Sequence, residues 1–380
     1  MTRIQRLVLT DFRNYRRLVW EPSSVHTVLT GENGSGKTNL LEALSLLVPG
    51  RGLRGARSVE WPFRSAGERE EAQSWGVAAR FSADRGGVVD LATGAGASSG
   101  RNREFRMDDR PVRKRDDVSE YLSAVWLTPQ MDRLFSESAG GRRRFLDRLV
   151  VALAPHHARE LSAVARAVWQ RNKVLQTRRD EGGWLSGLED EIARHTVAVV
   201  AGRVEMIARL NAAGPEMAGG FPGAQLTLVC KIAERLETNP ALMVEDWLRA
   251  ELRRLRGEDA LRGQATLGVH RADLMISDME TGREAAYSST GQQKALLLGI
   301  ILAHAGLIVG VRGRAPMLLL DEPLVHLDRG RREKLLSVLV DFSSSVVMTG
   351  TDPEPFGLLR GKVGFETLME GRMLSDVEPP

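Results

Sequence analysis

This sequence predicts an α/β fold, a mixed sheet with flanking helices plus a second, helical lobe carrying a short arm, and three observations carry that expectation. Apolar segments of strand length run into a glycine-rich loop, and an amphipathic segment follows directly, between Thr30 and Leu44. A long stretch from about Gln130 to Arg262 is rich in Arg, Ala, Leu and Glu, a helical composition. Strand character then returns in the last third of the chain, with helical segments between the strands.

The N-terminal runs "IQRLVL", "RRLVW" and "VHTVLTG" are separated by turn and polar residues and read as three strands. The third enters the glycine-rich loop. After the loop, "KTNLLEALSLLVPG" carries apolar residues at helical spacing and stops at Pro49-Gly50. From about Ser74 to Val112, polar and apolar residues alternate among many glycines, as in "GGVVDLATGAGASSG", which predicts antiparallel strands with long turns. The helical stretch is interrupted at Gly182-Gly183, Gly214-Pro215 and "GGFPG" from Gly219 to Gly223, so it allows only a short arm. "ATLGVHRADLMI", "APMLLLDEP" and "SSVVMTGTD" read as strands, with helices from about Thr290 to Ala305 and after Asp328. "GKVGFETLMEGRML" reads as a closing hairpin that turns at "EGR". No internal repeat or sustained heptad is visible.

Composition bounds the function. A chain of 380 residues with 42% hydrophobic content buries a substantial core. The sequence is expected to hold no run approaching the roughly 18 apolar residues of a membrane span. The start "MTRIQRLVLTDFRN" has charges where a leader would be apolar, so the expected location is cytoplasmic, without membrane attachment. The single cysteine, Cys230, excludes an internal disulfide and a Cys-based zinc site, and reads as a small buried residue. The net charge is +4, and of 53 basic residues only seven are lysine. Arginine is densest in "GGRRRFLDR" (Arg142, Arg143, Arg144), in Arg101 to Arg115 and in Gln170 to Arg179. These clusters fit either phosphate neutralisation or solvated faces paired with interspersed acids.

The loop residues Gly31, Glu32, Asn33, Gly34, Ser35, Gly36, Lys37 and Thr38 fit G-x-x-x-x-G-K-[ST]. Glycines let backbone amides converge on a phosphate, Lys37 reaches the β and γ oxygens of ATP, and the Thr38 hydroxyl suits Mg²⁺. "PMLLLDEPLVHLD" is a buried strand ending in adjacent carboxylates: Asp321 is placed to hold Mg²⁺, and Glu322 to orient and deprotonate the attacking water. "YSSTGQQKALLLGIILAHAG" puts Ser289, Thr290, Gly291 and Gln292 at the start of an apolar helix, a second anion site suited to a γ-phosphate, or simply a helix cap. The order of phosphate loop, signature segment and Asp-Glu strand is that of a P-loop ABC-type ATPase head, with "HLD" at His326 to Asp328 as its following loop. The chain then divides into 1–130 and 263–380 as the two parts of the head and 131–262 as the helical lobe. Likeness to such heads implies that the signature of one subunit caps the nucleotide of the other, so that ATP is expected to join a homodimer.

The sequence resembles the RecF family of bacterial replication and recombinational repair proteins. The resemblance rests on "LVLTDFRNY", "TGENGSGKTNLLEAL", "LTPQMDRLFSESAGGRRRFLD", "WQRNKVL", "GVHRADL", "SSTGQQKALLL", "LLLDEPLVHLD" and "VMTGTD", in family order over almost the whole chain. It implies an ATP-dependent dimeric clamp on double-stranded DNA near single-stranded gaps. It also implies slow, DNA-stimulated ATP hydrolysis, cooperation with RecO and RecR in loading RecA, and a part in the SOS response and fork recovery. By the same resemblance Gln130 senses metal and attacking water, Ser289 and Gly291 act on the partner's nucleotide, and Asp328 couples the two sites. Val269 stands where the family pattern has proline, and "HRAD" replaces "HRDD", which loosens any role for His270, Arg271 and Asp273. Thr349 and Thr351 occupy the strand where transport ATPases carry a histidine. An ABC transporter ATPase is the alternative, followed by a chromosome-structural head of the SMC kind and a metabolic kinase.

Overall fold

The structure is a computed structural model and describes residues 2–64, 72, 74–82, 87–96, 102–177 and 182–375. Of the basic positions singled out above, Arg101, Arg178 and Arg179 lie outside the described residues. In chain order the elements begin with β1 (Arg3–Phe12), β2 (Tyr15–Trp20), β3 (His26–Thr30) and α1 (Lys37–Leu46). There follow β4 (Trp75–Ser82), β5 (Val88–Ala95), β6 (Glu104–Met107), β7 (Arg110–Pro111), α2 (Arg115–Tyr121) and β8 (Ala124–Leu127). The middle of the chain forms α3 (Ala139–Leu153), α4 (His157–Thr177), α5 (Gly182–Met217), β9 (Ala224–Val229), α6 (Lys231–Thr238), α7 (Ala241–Arg254), α8 (Arg256–Arg262) and β10 (Asp273–Asp278). The last third forms α9 (Thr290–Arg312), β11 (Met317–Leu320), α10 (Arg329–Val340), β12 (Val346–Thr349), β13 (Gly364–Met369) and β14 (Arg372–Ser375).

Two compact units result. The first comprises Met1–Asp132, Pro215–Phe221 and Ser289–Pro380; the second comprises Arg133–Gly214 and Pro222–Ser288.

The first unit holds two six-stranded sheets. One is antiparallel, in the order β2-β1-β4-β5-β6-β7. Its strand β4 alternates buried and more exposed residues, the periodicity that the sequence shows between Ser74 and Val112. The other sheet is mixed, in the order β14-β13-β3-β12-β11-β8, with only the edge strand β14 antiparallel. Every residue of β3, β8, β11 and β12 is buried, as parallel strands covered on both faces require. Helix α1 packs on β4 of the first sheet and on β11 and β12 of the second. Register sets Leu320 beside Leu127 and Met348, and Thr349 beside Leu29. The loops leaving β3, β8, β11 and β12 therefore emerge along one edge, where ligands of open α/β sheets bind. The closing hairpin turns at Glu370 and Gly371, both at positive φ, a pairing that suits a tight two-residue turn.

Helix α9 corrects one expectation. It runs to Arg312, and one of its 18-residue windows has a mean hydropathy of 2.1, long and apolar enough to cross a membrane by length and composition. In this fold 72% of that window is buried within the protein. A core helix surrounded by other elements needs no polar face, so it passes the same test as a membrane span.

The second unit is built from α3, α4, α6, α7, α8 and most of α5, with an antiparallel hairpin of β9 and β10. Apolar faces meet around Val164, Ile192, Val200, Leu248 and Leu252. Cys230 is buried there, as expected. Helix α5 begins at Gly182-Gly183, where the sequence suggests an interruption, and runs unbroken through Gly214-Pro215, read above as a second one. An interior glycine costs about 1 kcal/mol and an interior proline about 3 kcal/mol relative to alanine, propensities that tertiary context overrides. Strand β9 was not anticipated either. Its ladder with β10 draws residues up to Ser288 into this unit, whereas the boundaries drawn from sequence fall after residues 130 and 262.

Polar staples complete the second unit. The fully buried Arg171 donates to Glu189 (3.1 Å), Asp259 (2.6 Å) and the Leu252 carbonyl (2.7 Å). Arg203 and His157 converge on Asp147 at 2.7 and 3.0 Å. Burial alone would raise the Asp147 pKa, but the hydrogen bonds from His157 and Arg203 outweigh it and hold the carboxyl below its usual range.

Candidate functional site

The glycine-rich loop leaves the buried end of β3 and closes on α1. Gly31 sits at φ +143°, and a Cβ there would lie 2.3 Å from the Leu368 carbonyl oxygen. Gly36 sits at φ +113°, with Tyr15 where its Cβ would be. No residue but glycine fits either place. Gly36 is also the N-cap of α1 and brings no side-chain acceptor, so the first-turn amides of the helix keep their capacity for an anion. Glu32, Asn33 and Gly34 are exposed at the loop tip. The Ser35 hydroxyl is buried and has no hydrogen-bond partner among the described residues. An orphaned buried hydroxyl within a ring of amides fits a phosphate oxygen.

Lys37 folds back over the loop. Its ammonium donates to the carbonyls of Gly31 (2.5 Å) and Glu32 (2.9 Å). Burial lowers its pKa, while the carboxylates of Glu322 and Asp321 act in the opposite direction. The acids that oppose the shift are the pair at the end of β11.

Asp321 is buried, and its Oδ1 accepts from the hydroxyls of Thr38 (3.2 Å) and Thr349 (2.7 Å). Octahedral Mg²⁺ bonds of 2.0–2.1 Å set neighbouring ligand oxygens about 2.9 Å apart, so the Thr38 and Asp321 oxygens fit two adjacent positions around that ion. No group of three or more His, Cys, Asp or Glu side chains assembles a metal site among the described residues. Further ligands would have to come from phosphate and water, which is how Mg²⁺ is commonly held.

Glu322 lies at φ +50°, a left-handed conformation that costs a non-glycine residue about 1–3 kcal/mol. Its amide donates to the Thr349 hydroxyl at 3.0 Å, so one threonine fixes both the Asp321 carboxylate and the Glu322 backbone. Gln130 is exposed in the turn Pro129–Arg133 that follows β8, on the same sheet edge. Among the described residues it makes no hydrogen bond to Asp321 or Glu322.

Ser289, Gly291, Gln292 and Asp328 form a separate group in the same unit. Ser289 caps α9 in a reciprocal capping box with Gln292 (3.4 and 3.2 Å) and remains exposed. A Cβ on Gly291 would lie 2.9 Å from the His326 carbonyl oxygen, so glycine is needed here for close approach of the "HLD" loop. Asp328 caps α10 through the Arg331 amide at 2.9 Å. The structure thus brings Lys37, Thr38, Asp321 and Glu322 together, and among the described residues no hydrogen bond joins Ser289, Gly291, Gln292 or Asp328 to them.

Several supporting residues were missed by sequence reasoning. Tyr15 donates to the Gly36 carbonyl at 2.9 Å, and burial raises its pKa. Arg13 makes a bidentate pair with the fully buried Glu42 of α1 (2.7 and 2.8 Å). Asn14 accepts from Asn39 at 2.7 Å. The quoted "FRNY" was the available signal: it is the β1–β2 turn, and it braces the glycine-rich loop and its helix. Lys294 of α9 is buried against Asp132 (2.7 and 3.0 Å), two residues beyond Gln130. Of the three clustered arginines, Arg142 is held by Asp273 in a bidentate pair (2.7 and 2.8 Å) and Arg143 donates to the Ala272 carbonyl (2.7 Å). Arg144 is exposed. Two of the three therefore serve the second unit itself.

Comparison with known proteins adds lineage to this geometry. The model of the RecF/RecN/SMC N terminal domain family matches residues 3–353. The chain is 40% identical to the DNA replication and repair protein RecF of Rhizobium etli over 97% of its own length and 98% of that protein. It is 42% identical to the RecF of Allorhizobium ampelinum over 98% of each chain. A solved structure of the recombination mediator protein RecF with an ATP analogue, described as part of a RecFOR pathway, superposes with a TM-score of 0.84 at 20% identity, covering 99% of this chain and 98% of that one.

Proposed function

This chain belongs to the RecF family, and we propose that it is an ATP-dependent DNA-binding protein of replication and recombinational repair whose nucleotide joins two copies into a clamp on DNA. The observation that carries the nucleotide part is the chain of contacts from Thr38 through Asp321 and Thr349 to Glu322, set at the mouth of the glycine-rich loop. In this reading the amides of Gly34 to Thr38 hold the triphosphate, and Lys37 exchanges its loop carbonyls for the β and γ oxygens. Thr38 and Asp321 hold Mg²⁺, which supplies charge neutralisation on the phosphates when bound. Glu322 orients the attacking water and takes its proton, and Gln130 completes the shell around it.

Ser289, which is exposed, and the half-buried Gly291 act on the nucleotide of a second copy, and Asp328 links that contact to the "HLD" loop. Hydrolysis is slow and serves to release the clamp. The DNA is a duplex bordering a single-stranded gap. RecO and RecR are the partners, as the RecFOR pathway of the solved relative suggests, with RecA loading, SOS induction and fork recovery as the outcome. This reading replaces the transporter ATPase as the account of the same motifs.

The test is complementation in mixed dimers. Lys37→Ala removes one nucleotide site and Ser289→Arg blocks the surface that faces the other copy, so each variant alone forms no ATP-dependent dimer. Mixed together, they regain one intact composite site and dimers form. A mixture that stays monomeric contradicts action across the interface.

A further inference from the structure

The segment "WQRNKVL" on α4 is only half explained by folding. Its inward side is spent: Arg171 is fully buried in the Glu189 and Asp259 network, and Val174 and Leu175 are buried with it. The outward side leaves Trp169 62% exposed, with the Lys173 ammonium 5.2 Å from its ring centroid. Ser162, Arg166, Trp169, Lys173 and Gln176 are all exposed and fall at alternating spacings of four and three residues, so they form one stripe along the helix. A cation lies one turn before the indole and another one turn after it. The only acid on the helix, Glu160, is paired with His195 at 2.6 Å. Among the described residues neither Arg166 nor Lys173 has an ion-pair partner.

An indole costs free energy in water, and cations set around it without acids describe a surface complementary to an anion with flat apolar faces. Unpaired nucleotides have that chemistry. A base inside a duplex has both faces already stacked, whereas a single strand offers its bases to an aromatic ring and its phosphates to flanking cations. We propose that the outward face of α4, centred on Trp169, is a single-strand contact: an unpaired base stacks on the indole, and Arg166 and Lys173 meet phosphates of the same strand. The inference rests on the DNA-binding reading above and deepens it, by assigning the single-stranded part of a gapped substrate to the second unit.

The experiment uses the full chain with Mg·ATP and follows fluorescence anisotropy of labelled oligo(dT) and of a blunt duplex across a salt series. Trp169→Ala weakens oligo(dT) binding about tenfold and leaves duplex binding within about twofold, while Trp169→Phe recovers most of the loss. Arg166→Gln with Lys173→Gln lowers the slope of log affinity against log salt by about 1.4, since each single-strand phosphate contact contributes about 0.7. All three side chains are exposed, so melting temperatures stay at the wild-type value. Oligo(dT) binding that is unchanged in Trp169→Ala overturns the inference, as does an equal loss on oligo(dT) and duplex, or a wild-type chain that does not bind oligo(dT). Loss of binding to a polyglutamate probe with oligo(dT) binding intact also overturns it, in favour of an acidic protein partner. Failure of the broader reading is separately visible, as a wild-type chain whose duplex binding ignores ATP.

Discussion

Thr349→Val removes one hydroxyl and leaves the shape of the side chain almost unchanged, so its effect isolates the contacts of that oxygen. The hydroxyl donates to Asp321 at 2.7 Å and accepts from the Glu322 amide at 3.0 Å, with the residue fully buried. A hydrogen bond to a charged group contributes about 1.5–3 kcal/mol, and a buried amide left unpaired costs about 1–3 kcal/mol. Against this, freeing Glu322 from its left-handed conformation returns about 1–3 kcal/mol. Taken at mid-range the net is about 2 kcal/mol, which lowers local protection by roughly 30-fold. Native-state hydrogen exchange of the β11 and β12 amides reads that change, and single-turnover ATP hydrolysis reads its effect on Glu322. Thr349→Ser keeps the hydroxyl and should restore both. Exchange within about threefold of wild type, together with unchanged hydrolysis, would refute the role given to this threonine.

Two further predictions concern charge. Burial lowers the Lys37 pKa, and a bound triphosphate favours its charged form, so nucleotide affinity is level below the lowered pKa and falls as pH rises through it, by up to about tenfold per pH unit. Calorimetry at alkaline pH in buffers of different ionisation enthalpy should find proton uptake on ATP binding, and none would contradict the Lys37 contact. The buried Lys294–Asp132 pair predicts a strongly non-additive double-mutant cycle: Lys294→Met or Asp132→Leu alone costs about 3–5 kcal/mol, and the two together cost less than their sum. Additive losses in urea denaturation would show that the two side chains do not act as a pair.

How much of this was legible in the sequence follows from the range of the interactions. The glycine-rich loop could be read because Gly31 and Gly36 are fixed by local backbone geometry, and the Asp321–Glu322 strand because a run of buried apolar residues ends abruptly in charge. The closing hairpin showed itself through Glu370-Gly371. The far end of helix α5 did not, because packing along its apolar face carries the helix through Gly214-Pro215, where the sequence suggested a break. Strand β9 alternates buried and exposed residues at its start, "AQLT", a pattern masked by the glycine run before it and the helix after it. The Thr349 and Lys294 contacts join residues far apart in the chain, and only the register of β12 beside β11 and the packing of α9 bring them together. The same holds for Arg142, whose partner Asp273 lies on β10.

In the proposed mechanism nucleotide joins two copies on DNA. Sedimentation velocity of the Glu322→Gln chain with labelled duplex, with and without Mg·ATP, tests it most directly, because that substitution keeps the ligand shell while removing the base that would end the bound state. The expected result is a DNA-bound dimer that appears only with ATP. A chain that binds ATP yet stays monomeric and leaves the duplex free would contradict it.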